Sequence, residues 1–473
     1  MPRIRALLLF GGWCLAGSVA GGEADWRQHR DAGLAAFRLG DHAEAVSRTE
    51  LALAEAEAFG ERDTRFAETL ANLAFLYREA GRLDDSERAF LRSVATWEAI
   101  VGEDHEIVGQ TLNNLGSLYD AEGRFDEAEP VFERAVAIAE KAHGAAHPAV
   151  AAVSYNLARV YQARGRLDDA EASFAKALAV QERVFGPDHP QVGRTLNALA
   201  VIHGIQGRYK EAAPLFERVL AIDKATLGAD HADLALDLRN LADVYVAQDR
   251  LEEAEPLFRQ ALAIDKAALG LDHRQVALDL DSIAGVVRRL GRPAEAESLY
   301  RRALAIVGVA LGEDHPSLAA RLEALADINR DLKRLGAIEP LLKRAVAIRE
   351  TALGADHPQL ALSLRRLGAL YRDEGRYDEA ATMFSRTLAI REKALSADHP
   401  RLLESLRDLA DVYAASGDSA RSIPLYERAL PVSVTVLGSD HGDTRELAAR
   451  LATQYRSVGR EGDAETLSGE YPP

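Results

Sequence analysis

Nine histidines stand on a comb. His105, His147, His189, His231, His273, His315, His357, His399 and His441 are spaced 42 residues apart, and they account for nine of the chain's 13 histidines. Imidazoles invite a metal reading, since neutral His is a common zinc ligand. Zinc, however, needs several donors at about 2 Å from one ion. One His per unit, on units stacked about 10 Å apart, does not converge in that way. Asp precedes eight of the nine, and Pro follows several, as in Asp188-His189-Pro190 and Asp398-His399-Pro400. Pro is tolerated in the first turn of a helix, and Asp or His just before it can accept hydrogen bonds from free N–H groups. The comb therefore predicts a series of helix starts and no metal. His29, His42, His143 and His203 are scattered.

No catalytic constellation accompanies the comb. A phosphate-binding Gly-rich loop, His-Glu-x-x-His and Gly-x-Ser-x-Gly are all missing. Acidic residues concentrate in turns such as Asp126-Glu127 and Asp168-Asp169, where they favour helix N-termini. The expectation is a protein that is not an enzyme and carries no cofactor, with a hydrolase as a remote alternative. The 473 residues are 48% apolar and 28% charged, the balance of a folded chain and not of a disordered one. A net charge of −17 argues against a general nucleic-acid binder. Cys14 is the only cysteine, so neither an internal disulfide framework nor a Cys-based zinc site can form.

The elements behind the comb repeat with the same period. Leu73, Leu115, Leu157, Leu199, Leu241, Ile283, Leu325, Leu367, Leu409 and Leu451 form one column, each followed by Ala or Gly. Tyr77, Tyr119, Tyr161, Tyr245, Tyr371, Tyr413 and Tyr455 form another, and Phe132, Phe174, Phe216, Phe258, Tyr300 and Phe384 a third. Leu112, Leu115, Gly116 and Tyr119 lie at i, i+3, i+4 and i+7, one stripe of a helix. Ala128, Phe132 and Ala135 make a second stripe, and Gly123 between them is a helix stop. One copy thus predicts helices near 147–163 and 168–185. The small column lets the two helices approach closely. A length that would ordinarily suggest about three domains is instead a count of stacked units.

Gly-Pro-Asp-His-Pro at 186–190, Thr-Leu-Asn-Asn-Leu-Gly at 111–116 and Glu-Ala-Glu-Pro-Leu-Phe at 253–258 resemble the tetratricopeptide repeat, in the 42-residue form of kinesin light chains and many bacterial repeat proteins. The resemblance implies an all-α fold: a right-handed superhelical α-solenoid of about eleven helix-turn-helix repeats. Residues 63–473 hold ten tandem copies, the last truncated, and 21–62 a divergent N-terminal copy one residue out of register. The copy at 315–356 departs most, with Asn329 for Tyr, Lys333 for Gly, Ile338 for Ala and Leu342 for Phe.

In that family the first helix of each pair lines a concave groove, and an Asn just before the Leu column holds the backbone of an extended peptide. The matching residues are Asn72, Asn114, Asn156 and Asn240, with Asn113 and Asn197 one residue earlier. The pattern lapses at Ala198 and Ser282, and later copies carry Ala324, Arg366, Asp408 and Arg450. The C-terminal half offers Arg288, Arg330, Arg365, Arg366 and Arg372 at positions expected to face inward, a strip suited to acidic peptide segments. Glu323, Asp327, Asp331 and Asp373 share that face and are alternative partners for those guanidiniums.

Met1 to Ala20 is a separate object. Arg3 and Arg5 precede an apolar run from Ala6 to Leu15, and Ser18-Val19-Ala20 offers small residues for cleavage. This is the three-part pattern of a secretory signal peptide, with an uncleaved N-terminal anchor as the alternative. Arg far outnumbers Lys, as in GC-rich bacteria. The expectation is a periplasmic or secreted scaffold that binds other proteins or peptides, with no nucleic-acid partner and no stable membrane span after cleavage. Self-assembly of the chain is the second hypothesis.

Overall fold

The computed structural model describes residues 22–472. They form twenty-two α-helices and one 3-10 turn, with no strand among them. Two compact units divide the chain at His231 and Ala232. The first unit holds five helix pairs: α1 (Gly22–Arg38) and α2 (His42–Glu57), α3 (Thr64–Glu79) and α4 (Leu83–Val101), α5 (Glu106–Ala121) and α6 (Phe125–His143), α7 (Pro148–Ala163) and α8 (Leu167–Phe185), α9 (Pro190–Ile205) and α10 (Tyr209–Leu227). The second holds six: α11 (Leu234–Ala247) and α12 (Leu251–Leu269), α13 (Arg274–Arg289) and α14 (Pro293–Leu311), α15 (Ser317–Asp331) and α16 (Ile338–Leu353), α17 (Pro358–Asp373) and α18 (Tyr377–Ala394), α19 (Pro400–Ala415) and α20 (Ser419–Leu437), α21 (Gly442–Ser457) and α22 (Glu461–Glu470). The expected all-α array of eleven pairs is what forms. The leader at 1–20 lies outside the described residues.

The comb marks helix starts. Nδ1 of His147 accepts from the Ala149 N–H at 3.2 Å, and His105, His189, His273, His357, His399 and His441 cap α5, α9, α13, α17, α19 and α21 in the same way. An accepting Nδ1 requires the neutral tautomer with its proton on Nε2. His315 makes the same bond to the Ser317 N–H at 3.3 Å. After His231 the helix starts later: α11 begins three residues beyond it, behind Asp233.

A second punctuation has half the period. From Gly60 to Gly459, left-handed residues recur every 21 positions, interrupted at Ser396 alone. Each follows the end of a helix, where the chain leaves at positive φ, which glycine adopts without a Cβ penalty. Two non-glycines take the same conformation, Asp249 at φ 61° and Lys333 at φ 58°. The second of these belongs to the deviant copy. There a 3-10 turn at Leu335–Ala337 delays α16 to Ile338, and the Asn329 amide, buried in place of a Tyr, donates back to the Leu325 carbonyl at 2.7 Å.

Packing follows the columns. Every member of the Leu column is buried, and Phe132, Phe174, Phe258 and Phe384 lie against the small column. A Cβ on Gly116 would meet the Phe132 ring at 2.9 Å, and one on Gly368 would meet Phe384 at 3.0 Å. Those contacts are the reason the small residues are needed.

Candidate binding face

First helices of successive pairs approach one another directly. The Asn156 Nδ2 on α7 donates to the Asn113 Oδ1 on α5 at 2.9 Å. Second helices are instead bridged by long side chains, as in Arg134–Glu98 at 2.6 Å and Arg386–Glu350 at 2.6 Å. Two short amides can meet only where the backbones are closer, so the first helices form the inner side of each unit.

In the first unit, Asn113 and Asn156 are thus joined to each other. Asn72 lines a cavity of about 20 Å³ with Arg30, Phe37 and Thr69, room for a single water. Asn114 and Asn197 are half-buried, and their amides make no hydrogen bond among the described residues. Asn240 has the same character on α11 of the second unit.

The five candidate arginines of the second unit each have a carboxylate within 4 Å. Arg288 Nε lies 2.6 Å from Asp331, Arg365 Nε 2.6 Å from Asp408, and Arg372 Nη2 2.9 Å from Asp373. Asp327 serves three guanidiniums: Arg366 at 2.9 Å, Arg330 at 3.4 Å and Arg288 at 3.8 Å. The acidic neighbours noted in the sequence are therefore real partners, apart from Glu323, which turns into the core. Yet Asp327 and Asp331 are two carboxylates against the three guanidiniums Arg288, Arg330 and Arg366, so this stretch keeps a positive surplus.

Two recurrent networks escape the sequence columns. One stacks the Arg that follows the Gly closing a first helix on the Tyr column. Arg124 lies 4.4 Å from the Tyr119 ring centre and 2.8 Å from Glu87 of the preceding pair, and the Tyr119 hydroxyl donates to Glu87 at 2.8 Å. Arg82–Tyr77–Glu50 and Arg376–Tyr371–Glu339 repeat it. Burial, reinforced by the Glu87 carboxylate, pushes the Tyr119 phenol up to about 12, so it stays a donor. Arg376, then Lys343, hold Glu339 down to about 2. The recurring Gly-Arg dipeptide (Gly81-Arg82, Gly123-Arg124, Gly375-Arg376) was the available signal.

The other is a buried polar seam that runs through the second unit. Arg239 binds Asp265 at 2.6 Å and Asp279 at 3.2 Å; Arg321 binds Asp281 at 2.6 Å. Arg349 bonds both Glu323 and Ser363, and the Ser363 hydroxyl donates to Glu323 at 2.6 Å. Arg391 reaches Glu404 and Ser405 at 2.8 Å each. One corresponding place in the first unit holds the neutral pair Thr195–Gln181 at 2.7 Å. Burial pushes the Asp281 carboxyl up to about 6 against the pull of Arg321.

Among the described residues, no cluster of three His, Cys, Asp or Glu side chains could hold a metal, and no helix is long and apolar enough to cross a membrane. A tetratricopeptide repeat model matches residues 65–141, 149–225, 205–267, 274–351, 322–393 and 359–433, and a second such model matches 114–183. The chain belongs to the tetratricopeptide repeat family. No curated protein matches it in sequence. Among solved structures, this TPR chain is similar to a Podosopora anserina kinesin light chain-type protein of nearly identical TPR-like repeats, at 27% identity, covering 42% of this chain and 94% of that one with a TM-score of 0.38. It is also similar to BtubC (BKLC) from P. vanneervenii, at 24% identity over 53% and 93% of the two chains with a TM-score of 0.41. A TPR protein from Parabacteroides merdae is 15% identical over 64% and 99%, with a TM-score of 0.40. The TPR solenoid is a scaffold suited to protein–protein interaction.

Proposed function

We propose that this TPR chain is an exported scaffold that holds partner proteins by extended peptide segments laid along its first-helix face. The observation that carries this is the set of free, half-buried amides at Asn114, Asn197 and Asn240, on the side where first helices approach one another. Asn is a mediocre helix former. Its amide both donates and accepts, which suits the backbone of an extended strand. The positive surplus around Asp327 adds a preference for acidic segments in the second unit. Export rests on the leader pattern of residues 1–20.

Capture from the source organism's extract, read by mass spectrometry, tests the face. Replacing Asn114 and Asn156 together by Ala should reduce partner yield several-fold while circular dichroism keeps its helical signal. Equal yield from both proteins would remove the amides from the site. A concentration-dependent oligomer in light scattering, with no partner captured, would favour self-assembly instead. For export, the protein recovered from its source should begin at Gly21; an intact Met1 there would refute cleavage.

A further inference from the structure

One pair of helices in the second unit has lost a carboxylate that its counterpart retains. In the Phe column two members are tyrosines, Tyr300 on α14 and Tyr426 on α20. The Tyr426 hydroxyl donates to Asp411 Oδ1 on α19 at 2.6 Å, and Arg450 holds the other oxygen of that carboxylate at 2.7 Å. The position of Asp411, carried back three repeats, is Gly285 on α13. A Cβ built on Gly285 would stand 3.8 Å from the Tyr300 hydroxyl. The hydroxyl therefore lies directly beneath the missing side chain, and it makes no hydrogen bond among the described residues.

Gly285 and Tyr300 line an open cleft of about 770 Å³ together with Arg288, Arg289, Gly291, Pro293 and Asp331. Val287 stands where most repeats have the Tyr that carries the Arg clamp. Three repeats back the Arg450 position is Ala324, and the guanidinium that lines the cleft is that of Arg288, on α13 itself. Its Nε lies 2.6 Å from Asp331 and its Nη1 3.8 Å from Asp327, and its Nη2 makes no hydrogen bond among the described residues. Arg289 is anchored on Asp249 at 2.6 Å. Asp281 and Asp327 also face Tyr300; Asp281 is taken up by Arg321 at 2.6 Å, and Asp327 by the three arginines described above. Burial raises the Tyr300 phenol's affinity for its proton, so it is a standing donor.

We propose that this cleft binds a carboxylate side chain of a partner's acidic segment, which takes the place occupied in the α19–α20 pair by Asp411. The hydroxyl of Tyr300 and the free edge of Arg288 are its two donors. The inference rests on the reading of the first-helix face as a peptide site, and it names one position on that face and the chemistry it selects.

The probe is a fluorescein-labelled octa-glutamate peptide, read by anisotropy at low salt, with octa-glutamine as control. The full chain should bind the glutamate peptide and not the glutamine one. Tyr300→Phe restores the residue usual in the column and removes only the donor. Binding should weaken about tenfold, the scale of a hydrogen bond to a charged acceptor. Gly285→Asp should build the internal carboxylate, satisfy Tyr300 from within and weaken binding at least as much. Asn114→Ala with Asn156→Ala, in the other unit, should leave this peptide's affinity unchanged. Wild-type affinity in both Tyr300→Phe and Gly285→Asp would overturn the cleft while leaving the face intact. No binding by the wild type would also overturn it; partner capture that still depends on Asn114 and Asn156 would then keep the wider reading.

Discussion

Glu323 and Lys393 show how location decides what a charge is worth. Glu323 is 4% exposed, and its Oε1 accepts from both Arg349 and Ser363. Lys393 meets Asp356 at 2.7 Å with both side chains about two-thirds exposed. Removing one member of a buried pair strands the other without water, at a cost of about 3–5 kcal/mol. Glu323→Ala should therefore destabilise the second unit by that amount in urea unfolding, whereas Lys393→Ala should change it by about 1 kcal/mol or less. Similar effects from the two would mean that the seam is hydrated. Asp281 gives the pH dependence. Its folded-state value is raised from 3.8 to about 6 by burial. The folded chain then holds that proton more tightly than the unfolded one does. The resulting stability is complete below about pH 4 and is lost as pH rises through about 6. The melting temperature of the wild type relative to D281N should fall between those limits; a constant gap from pH 4 to 7 would contradict the burial of this carboxyl. The sequence made the histidine caps and the Leu column legible because each recurs every 42 residues. It put Asp327, Asp331 and Asp373 on the arginines' face but could not say which carboxylate pairs with which guanidinium. Asp327, Asp331 and Asp408 stand at three different positions of the repeat, so only the packing of one first helix on the next brings them within reach.

At the scale of the element, the turns carry the regularity. The left-handed position every 21 residues was present in the sequence, but Asp249, Lys333 and Ser396 obscure it, and the 42-residue columns drew attention from the half-period. Lys333 holds a conformation that costs an L-residue about 1–2 kcal/mol. It closes α15 just before the 3-10 turn that delays α16. Lys333→Gly relieves that strain and adds some unfolded-chain entropy. A net gain of about 0.5–1 kcal/mol is expected, seen as a higher urea midpoint with unchanged slope. A loss would show that the Lys333 side chain contributes contacts of its own. The helix limits 148–163 and 167–185 fall within a residue or so of those anticipated from stripe and stop signals. Those of α11 and α16 do not, because α11 starts behind Asp233 instead of directly after His231 and the Gly at 333 is missing.

At the scale of the molecule, each pair buries its stripe chiefly against its sequence neighbours, and stability is close to a sum of local terms. Leu157 is 6% exposed in the core of the first unit. Leu157→Ala should cost about 2–5 kcal/mol through the cavity it leaves. Hydrogen exchange should quicken in α5 to α9 and stay unchanged from α15 onward. Uniform acceleration over the whole chain would mean a single cooperative core. The side-chain bridges between first helices have a further consequence for the chain as it is made. Asn156–Asn113 and Arg365–Asp408 each span 43 residues. At about 5–20 residues per second, a ribosome supplies the neighbour that completes such a bridge within about 2–9 s. Folding can thus keep pace with translation, pair by pair, without waiting for a distant terminus. A translocation route that accepts only unfolded polypeptide would have to engage this nascent chain early, before its first pairs lock.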